Sequence, residues 1–478
     1  MAIPDSDKNA DRFVSWREFL TSAYVPSLAL VCLAVWLHAA DGLIVATMLP
    51  SIVSEVGGAA LVGWSVSLYE IASVVAGAAS ALLTMRHGLR RPMSLAAALF
   101  GLGCLLSALS PSMALILVGR CLQGLGGGGL VAMAFVAVGV VFPARYTARA
   151  IALVSTFWGV SAFLGPLIGG FFVEYATWRW GFGFFALQAF GLSAWIALRP
   201  DHSAVQTKET GKFPLRRLAL LCLAVLLVSS GGIEVKPLQS TLLIAMGLVC
   251  LVQFLRLDGR AGADRLLPNH PFGLSTTTGA ALLMILSLSI ATIALTAFGP
   301  LLVITIHGVS ALTAGYVIAC SSVGWSFAAV LVSGSPERFD RHMIMAGITM
   351  VVLSIAGFIH AVPQGPVWLV AVFATLDGAG FGLAWTFILR RTTSLAEPGE
   401  VQRISGAMPT VQRLGYALGA AYIGIVANAT GFVSMNTTQA AAEVATWVFL
   451  ACLPFGLLAL VAMSRLVRNQ PASAKASA

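Results

Sequence analysis

Gly119-Arg120-Cys121-Leu122-Gln123-Gly124-Leu125-Gly126-Gly127-Gly128-Gly129-Leu130 places one arginine inside a segment that is otherwise uncharged from Ala114 to Phe142. A charge at that depth of a bilayer costs at least about 2.5 kcal/mol unless it faces a partner or water. At helical spacing, Gln123 and Gly124 fall on the face of Arg120. Gly124 and Gly128 add a small-xxx-small pair, over which a neighbouring helix backbone approaches closely. One helix thus carries a costly charge and a bare packing groove together.

Composition sets the class around this helix. The 478 residues are 58% hydrophobic and 10% charged, against roughly 25% charged in soluble domains. Forty-eight glycines in so apolar a chain suit closely packed membrane helices. The expected fold class is all-α and polytopic, with the lipid bilayer as its surroundings. The net charge of +9 calls for no nucleic acid, because a bias of basic residues to cytoplasmic loops accounts for it. Cys32, Cys104, Cys121, Cys222, Cys250, Cys320 and Cys452 lie in apolar segments without metal-type spacing. They read as small buried hydrophobes, neither ligands nor disulfides. Residues 1–21 have mixed charge and no signal-peptide pattern, so no cleaved leader is expected.

Spans of about 20 apolar residues fall near 24–49, 61–84, 93–111, 113–142, 150–174, 180–198, 215–232, 238–255, 276–305, 310–334, 343–361, 366–389, 405–430 and 444–466. Fourteen spans put both termini on one side. With that side cytoplasmic, all of the 28 Lys and Arg except Arg120, Arg179, Lys236 and Arg413 fall in cytoplasmic segments. The expected location is the inner or plasma membrane, with both termini in the cytoplasm.

A shift of 254 residues lays Leu122-Gln123-Gly124-x-Gly126-x-Gly128 on Leu376-Asp377-Gly378-x-Gly380-x-Gly382, Gly165 on Gly419 and Gly170 on Gly424. The fourth and fifth spans therefore recur as the twelfth and thirteenth. The expected organisation is an N-terminal tail (1–20), a six-helix bundle (21–199), a linker with two inserted helices (200–270), a second six-helix bundle (271–467) and a C-terminal tail (468–478). Parallel repeats of this kind put a substrate site between the halves near mid-membrane.

Several motifs resemble the major facilitator superfamily, in its fourteen-helix drug–proton antiporter branch. Asp41-x-x-Ile44-Val45 ending Met48-Leu49-Pro50 looks like that branch's aspartate motif. Arg120-x-x-Gln123-Gly124-x-Gly126 is similar to the arginine motif of helix 4. Gly159 with Gly165-Pro166-x-x-Gly169-Gly170 resembles the antiporter motif of helix 5, followed by Trp178-Arg179-Trp180, and Arg413-Leu414-Gly415 with Gly419 resembles the helix 13 pattern. The likeness implies the major facilitator fold, two six-helix bundles plus two central helices, and multidrug efflux driven by the proton gradient without a bound cofactor. One departure stands in the loop after the second span. Gly88, Arg90 and Arg91 keep the gating pattern, but Met85 occupies the acidic place and Ala81 the leading glycine, which puts the gating mechanism of the family in question here.

Buried ionisable groups in spans are functional candidates. Asp41 lies one turn after His38, and a carboxyl there suits proton coupling. Its alternative is a static carboxylate that shapes the first helix. Glu70 is either a second proton site, a partner for a cationic substrate, or a tie to an arginine. Arg120 modulates Asp41 or Glu70, binds an anion, or forms an interhelical salt bridge. Asp377 and Arg413 fall in the spans that correspond to the fourth and fifth, where they are placed to neutralise each other. The proton-coupling set is Asp41, Glu70 and Arg120. The candidate substrate cavity is His38, Tyr69, Gln123, Trp158, Asp377, Trp385 and Arg413. Trp64, Tyr69, Trp158, Trp325 and Trp385 are the aromatic side chains available to line it, with interface anchoring as the alternative. Gly88, Arg90, Arg91, Gly124, Gly128, Gly165, Pro166, Gly169 and Gly170 are read as gating and packing positions, with a bend expected at Gly165-Pro166.

No Walker-type Gly-Lys-Ser/Thr, no His-Glu-x-x-His, no metal cluster and no catalytic triad is present in the sequence, so an enzyme is not expected. The sequence supports a monomeric secondary exporter of small organic compounds. A facilitator or importer of a metabolite, or a non-transporting sensor on the same fold, remain the alternatives.

Overall fold

The computed structural model describes residues 16–468, apart from 22, 143, 200–213, 234–235, 263–264, 333–334, 336 and 396–400. The tails at 1–15 and 469–478 and most of the basic stretch Lys208–Arg217 lie outside the described residues. Behind a short helix at Trp16–Leu20 come fourteen long helices. They are α1 (Val25–Val56), α2 (Val62–His87), α3 (Arg90–Ala108), α4 (Met113–Val141), α5 (Ala144–Tyr175), α6 (Trp178–Ala197), α7 (Leu215–Ser230), α8 (Pro237–Gly259), α9 (Thr277–His307), α10 (Ala311–Val332), α11 (Asp340–Ala361), α12 (Val367–Ser394), α13 (Val401–Ala429) and α14 (Thr438–Arg468).

Twelve of them are long and apolar enough to cross a membrane by length and composition. The other two are α7, at 16 residues, and α13, which is 29 residues long but carries Gln412 and Arg413. Helices are the required answer for such segments, since hydrocarbon leaves backbone groups no partner outside the helix itself. All seven cysteines are free.

Two sets of helices pack in matching patterns. In the first, α4 lies against α2 and α3, α6 against α3, and α1 against α5, α4 and α6. In the second, α12 lies against α10 and α11, α14 against α11 and α9, and α9 against α13. The sets meet along α2–α13 and α5–α10, with α1 touching α9 and α10. The pair α7–α8 leans on the α2–α13 seam through α7.

Glycine explains these close approaches. A Cβ on Gly124 would collide with the Tyr69 carbonyl oxygen of α2, and one on Gly128 would stand 2.5 Å from Ser73 Cα. One repeat later, Gly378 and Gly382 present the same bare face to Ser321 and Trp325 of α10. Gly165 and Gly169 of α5 receive Leu43, Ile44 and Thr47 of α1, while Gly415 and Gly419 of α13 receive Ser289 and Ile290 of α9. Gly170 instead meets Leu312 of α10, across the seam, and the Cβ of Pro166 lies 3.0 Å from the Cβ position of Gly315. The helix at Gly165-Pro166 runs unbroken from Ala144 to Tyr175, so the proline serves contact with α10 without ending the helix. Gly88 ends α2 with φ +72°, a left-handed conformation that favours glycine. Arg90 opens α3 and donates to the Arg199 carbonyl at 2.7 Å, whereas Arg91 is exposed.

Candidate functional site

The site grows from α1, α2 and α4, which cross where Gly124 and Gly128 let α2 come close. Asp41 and Arg120 are 3% and 2% exposed, and Arg120 Nη1 donates to Asp41 Oδ2 at 2.5 Å. The same nitrogen reaches Gln123 Oε1 at 2.6 Å, and Nε donates to the Ser65 carbonyl at 3.2 Å. The guanidinium also lies 4.2 Å from the centre of the Tyr69 ring. A buried charge is tolerable only with this kind of complete compensation. Gln123 closes the set by donating from Nε2 to Ser107 Oγ on α3 at 3.0 Å. The Ser65 hydroxyl beside it is buried without a protein partner.

A second group reaches across the seam. Arg413 of α13 approaches Glu70 of α2 at 3.4 Å and His38 Nε2 of α1 at 2.8 Å. Arginine only donates, so His38 Nε2 is the accepting nitrogen of a neutral ring and Nδ1 carries the proton. That Nδ1 lies 2.7 Å from Tyr69 Oη, whose own hydrogen faces the His38 carbonyl at 3.4 Å. Trp158 of α5 stands edge-on to His38 with ring centres 5.9 Å apart. The two groups thus share Tyr69, which touches Arg120 with its face and His38 with its hydroxyl.

The expected Asp377–Arg413 pair is not present. Arg413 points to the first set of helices, and Asp377 instead meets Ser321 Oγ at 3.2 Å and Ser354 Oγ at 3.4 Å. Nor do the five aromatic residues share one lining. Tyr69 and Trp158 flank His38, Trp325 stacks on Phe381 with Trp385 tilted against both inside the second set, and Trp64 donates to the Ser229 carbonyl of α7 at 3.0 Å. Gln123 is fully buried between Arg120 and Ser107. Sequence reasoning passed over Ser107, Ser321 and Ser354, small polar residues in apolar helices whose hydroxyls complete these contacts. It also passed over Asn428, whose amide donates to the Ala60 and Gly232 carbonyls and ties α13 to α7 and to the turn before α2.

Among the described residues no group of His, Cys, Asp and Glu has the arrangement of a metal site. The arrangement is a buried carboxylate–guanidinium pair joined to a seam-spanning polar chain, on two repeated bundles. The Major Facilitator Superfamily model matches residues 31–420 and again 280–478.

This chain belongs to the Major Facilitator Superfamily. It is similar to the protein named "Probable multidrug-efflux transporter" of Mycobacterium tuberculosis strain CDC 1551, at 29% identity over 428 residues, 87% of this chain and 90% of that one. Its fold is similar to a bacterial homologue of the human lysosomal transporter Spinster, inward-facing and unoccupied, with TM-score 0.66 at 16% identity, covering 94% of this chain and 100% of that one. It is also similar to a D-xylose–proton symporter, with TM-score 0.65 at 14% identity, covering 92% of this chain and 97% of that one. This superfamily member is a multi-pass membrane transporter of small molecules.

Proposed function

We propose that this transporter exports small organic compounds in exchange for protons, by rocking two six-helix bundles (21–199 and 271–467) about the α2–α13 and α5–α10 seams. The observation that carries the reading is the Asp41–Arg120 pair, closed off from solvent and linked through Tyr69 and His38 to the seam residue Arg413. A carboxylate held by a guanidinium is a switch with two states. When a proton neutralises Asp41, its attraction for Arg120 falls and the packing of α1 against α4 is free to change. Arg120, Gln123 and Ser107 then form one rigid strut between α4 and α3, against which α1 moves. Glu70 is charge-compensated by Arg413, which makes it a closing contact between the halves in this conformation. The name of the Mycobacterium tuberculosis relative supports efflux. The bias of Lys and Arg to alternate loops supports termini on the cytoplasmic side of an inner or plasma membrane. The proton gradient is the energy source, the functional unit is a monomer, and α7–α8 braces the seam.

The test is transport of a compound panel into everted membrane vesicles carrying the wild type or Asp41→Asn. Uptake that collapses with an uncoupler in the wild type, and is lost in Asp41→Asn, is the expected result. Wild-type flux that ignores the uncoupler sinks proton exchange. Proton-driven flux that survives Asp41→Asn removes that residue from the mechanism.

A further inference from the structure

The Asp41–Arg120 pair leaves one buried carboxyl in the second set of helices without a role. Asp377 of α12 is 5% exposed. Its hydrogen-bond contacts among the described residues are two serine hydroxyls, and no lysine, arginine or histidine pairs with it there. Tyr416 on α13 and Cys452 on α14 are near enough to interact with it electrostatically, and neither offers a positive charge. An isolated carboxylate at such a place is costly, and a buried carboxyl without a countercharge takes up a proton instead.

The serine contacts offer a carboxylate little support. Ser354 Oγ lies 2.7 Å from the Val351 carbonyl, and a carbonyl only accepts. The one hydroxyl hydrogen of Ser354 is therefore spent on Val351. Its contact with Asp377 Oδ1, at 3.4 Å, is therefore too long and too weak to support a full negative charge. Ser321 donates to Oδ2 at 3.2 Å. A carboxylate here would have one long serine hydrogen bond and no cation, whereas a neutral acid needs neither.

The repeat gives a second and independent argument. Under the 254-residue shift Asp377 falls on Gln123 and Ala374 falls on Arg120. Gln123 donates from its amide to Ser107 on α3, and Asp377 meets Ser354 on α11, the counterpart helix. The likeness ends at the helices, since the shift lays Ser107 on Ala361 and not on Ser354. In the first half the donor is an amide beside an arginine. In the second the arginine is replaced by alanine, and the polar side chain is a carboxyl with no guanidinium beside it.

We infer that Asp377 is a reversible proton-binding site of the second six-helix bundle, separate from Asp41 and holding its proton in the conformation described here. Release transfers the Asp377 proton to water that enters when α12 moves relative to α10 and α11, and leaves a carboxylate that Ser321 continues to support. The inference stands whether or not the proton drives export, because it concerns where a proton is held.

Infrared spectroscopy of the purified full-length protein in lipid nanodiscs, titrated with pH, tests it without a substrate. The expected result is a protonated-carboxyl C=O band at neutral pH that is absent in Asp377→Asn, persists in Asp41→Asn and bleaches at alkaline pH. Ser354→Ala is the second variant, expected to move the same band by removing the hydroxyl beside Oδ1, and it keeps the test valid if Asp377→Asn does not fold. A neutral-pH carboxyl spectrum unchanged by either substitution overturns the inference, as does a band that never bleaches. A carboxylate that instead gives sodium-dependent thermal stabilisation, lost in Asp377→Asn, overturns it in favour of a metal cation. Uncoupler-insensitive transport with the band intact refutes the antiport reading alone.

Discussion

Removing one charge from the Asp41–Arg120 pair should cost far more than removing both. Asp41→Asn keeps the shape of the side chain but leaves the Arg120 guanidinium with the Gln123 and Ser65 oxygens and the Tyr69 face. Those groups are dipoles and a ring quadrupole, so the full positive charge stays buried at 2% exposure without an anion. Breaking a buried pair by deleting one partner costs about 3–5 kcal/mol. The Tyr69 face offsets about 2 kcal/mol of a desolvated cation's cost, but it already does so in the wild type and adds nothing new. The expected loss for Asp41→Asn is therefore about 3 kcal/mol, and Arg120→Gln should lose a similar amount by stranding the carboxylate. The double variant Asp41→Asn/Arg120→Gln has no buried charge and retains polar side chains able to bond one another. Its loss should fall below that of either single variant, giving a coupling energy of at least about 2 kcal/mol in a double-mutant cycle. Reversible unfolding in mixed detergent micelles, followed by tryptophan fluorescence, measures all three. Strictly additive losses would refute the reasoning, for they would mean that the two groups do not meet in the membrane.

Three other outcomes follow from the packing and the seam. Gly124→Val places a branched side chain against the Tyr69 backbone of α2 and should destabilise by about 1–3 kcal/mol. Gly183→Ala, where a Cβ meets nothing within 4 Å, should be neutral or gain up to about 1 kcal/mol, and equal melting losses for both would discount the groove. Asp258 accepts from Arg217 at 2.6 Å and from the Leu266 and Leu267 amides at 2.8 Å. Asp258→Ala should cost at least about 2 kcal/mol and expose the chain after α8 to limited proteolysis, and an unchanged digest would refute that. Arg413→Ala removes contacts of α13 with both α1 and α2, so a maleimide reagent should label Ser67→Cys faster in that background. Labelling at the wild-type rate would show that Arg413 does not hold the seam.

The sequence made the helices legible because each span had to satisfy its own backbone in lipid, a local demand that hydropathy records. The repeat was legible for a related reason. A glycine groove is a property of one helix face, and Gly124 and Gly128 announce it without reference to the partner that fills it. The pairing of charges had no such local record. Arg413 is assigned by the 254-residue shift to the second half, and its nearest acid in that frame is Asp377. In the structure it turns outward from its own bundle to Glu70 and His38. Nothing along the chain distinguishes these outcomes, because the partner is chosen by which face of α13 lies on the seam. That face is set by how α13 docks on α9, where Gly415 and Gly419 seat Ser289 and Ile290. With the glycines turned toward α9, Arg413, two residues before Gly415, is carried some 200° around the helix and toward the other bundle. Gly63, whose added Cβ would lie 2.7 Å from the Ala420 carbonyl, shows how close α2 then comes on that side. The same docking leaves Asp377 behind without a cation, so the lost pair and the proton on Asp377 have one cause. A packing signal readable in the sequence thus fixes a charge arrangement that is not.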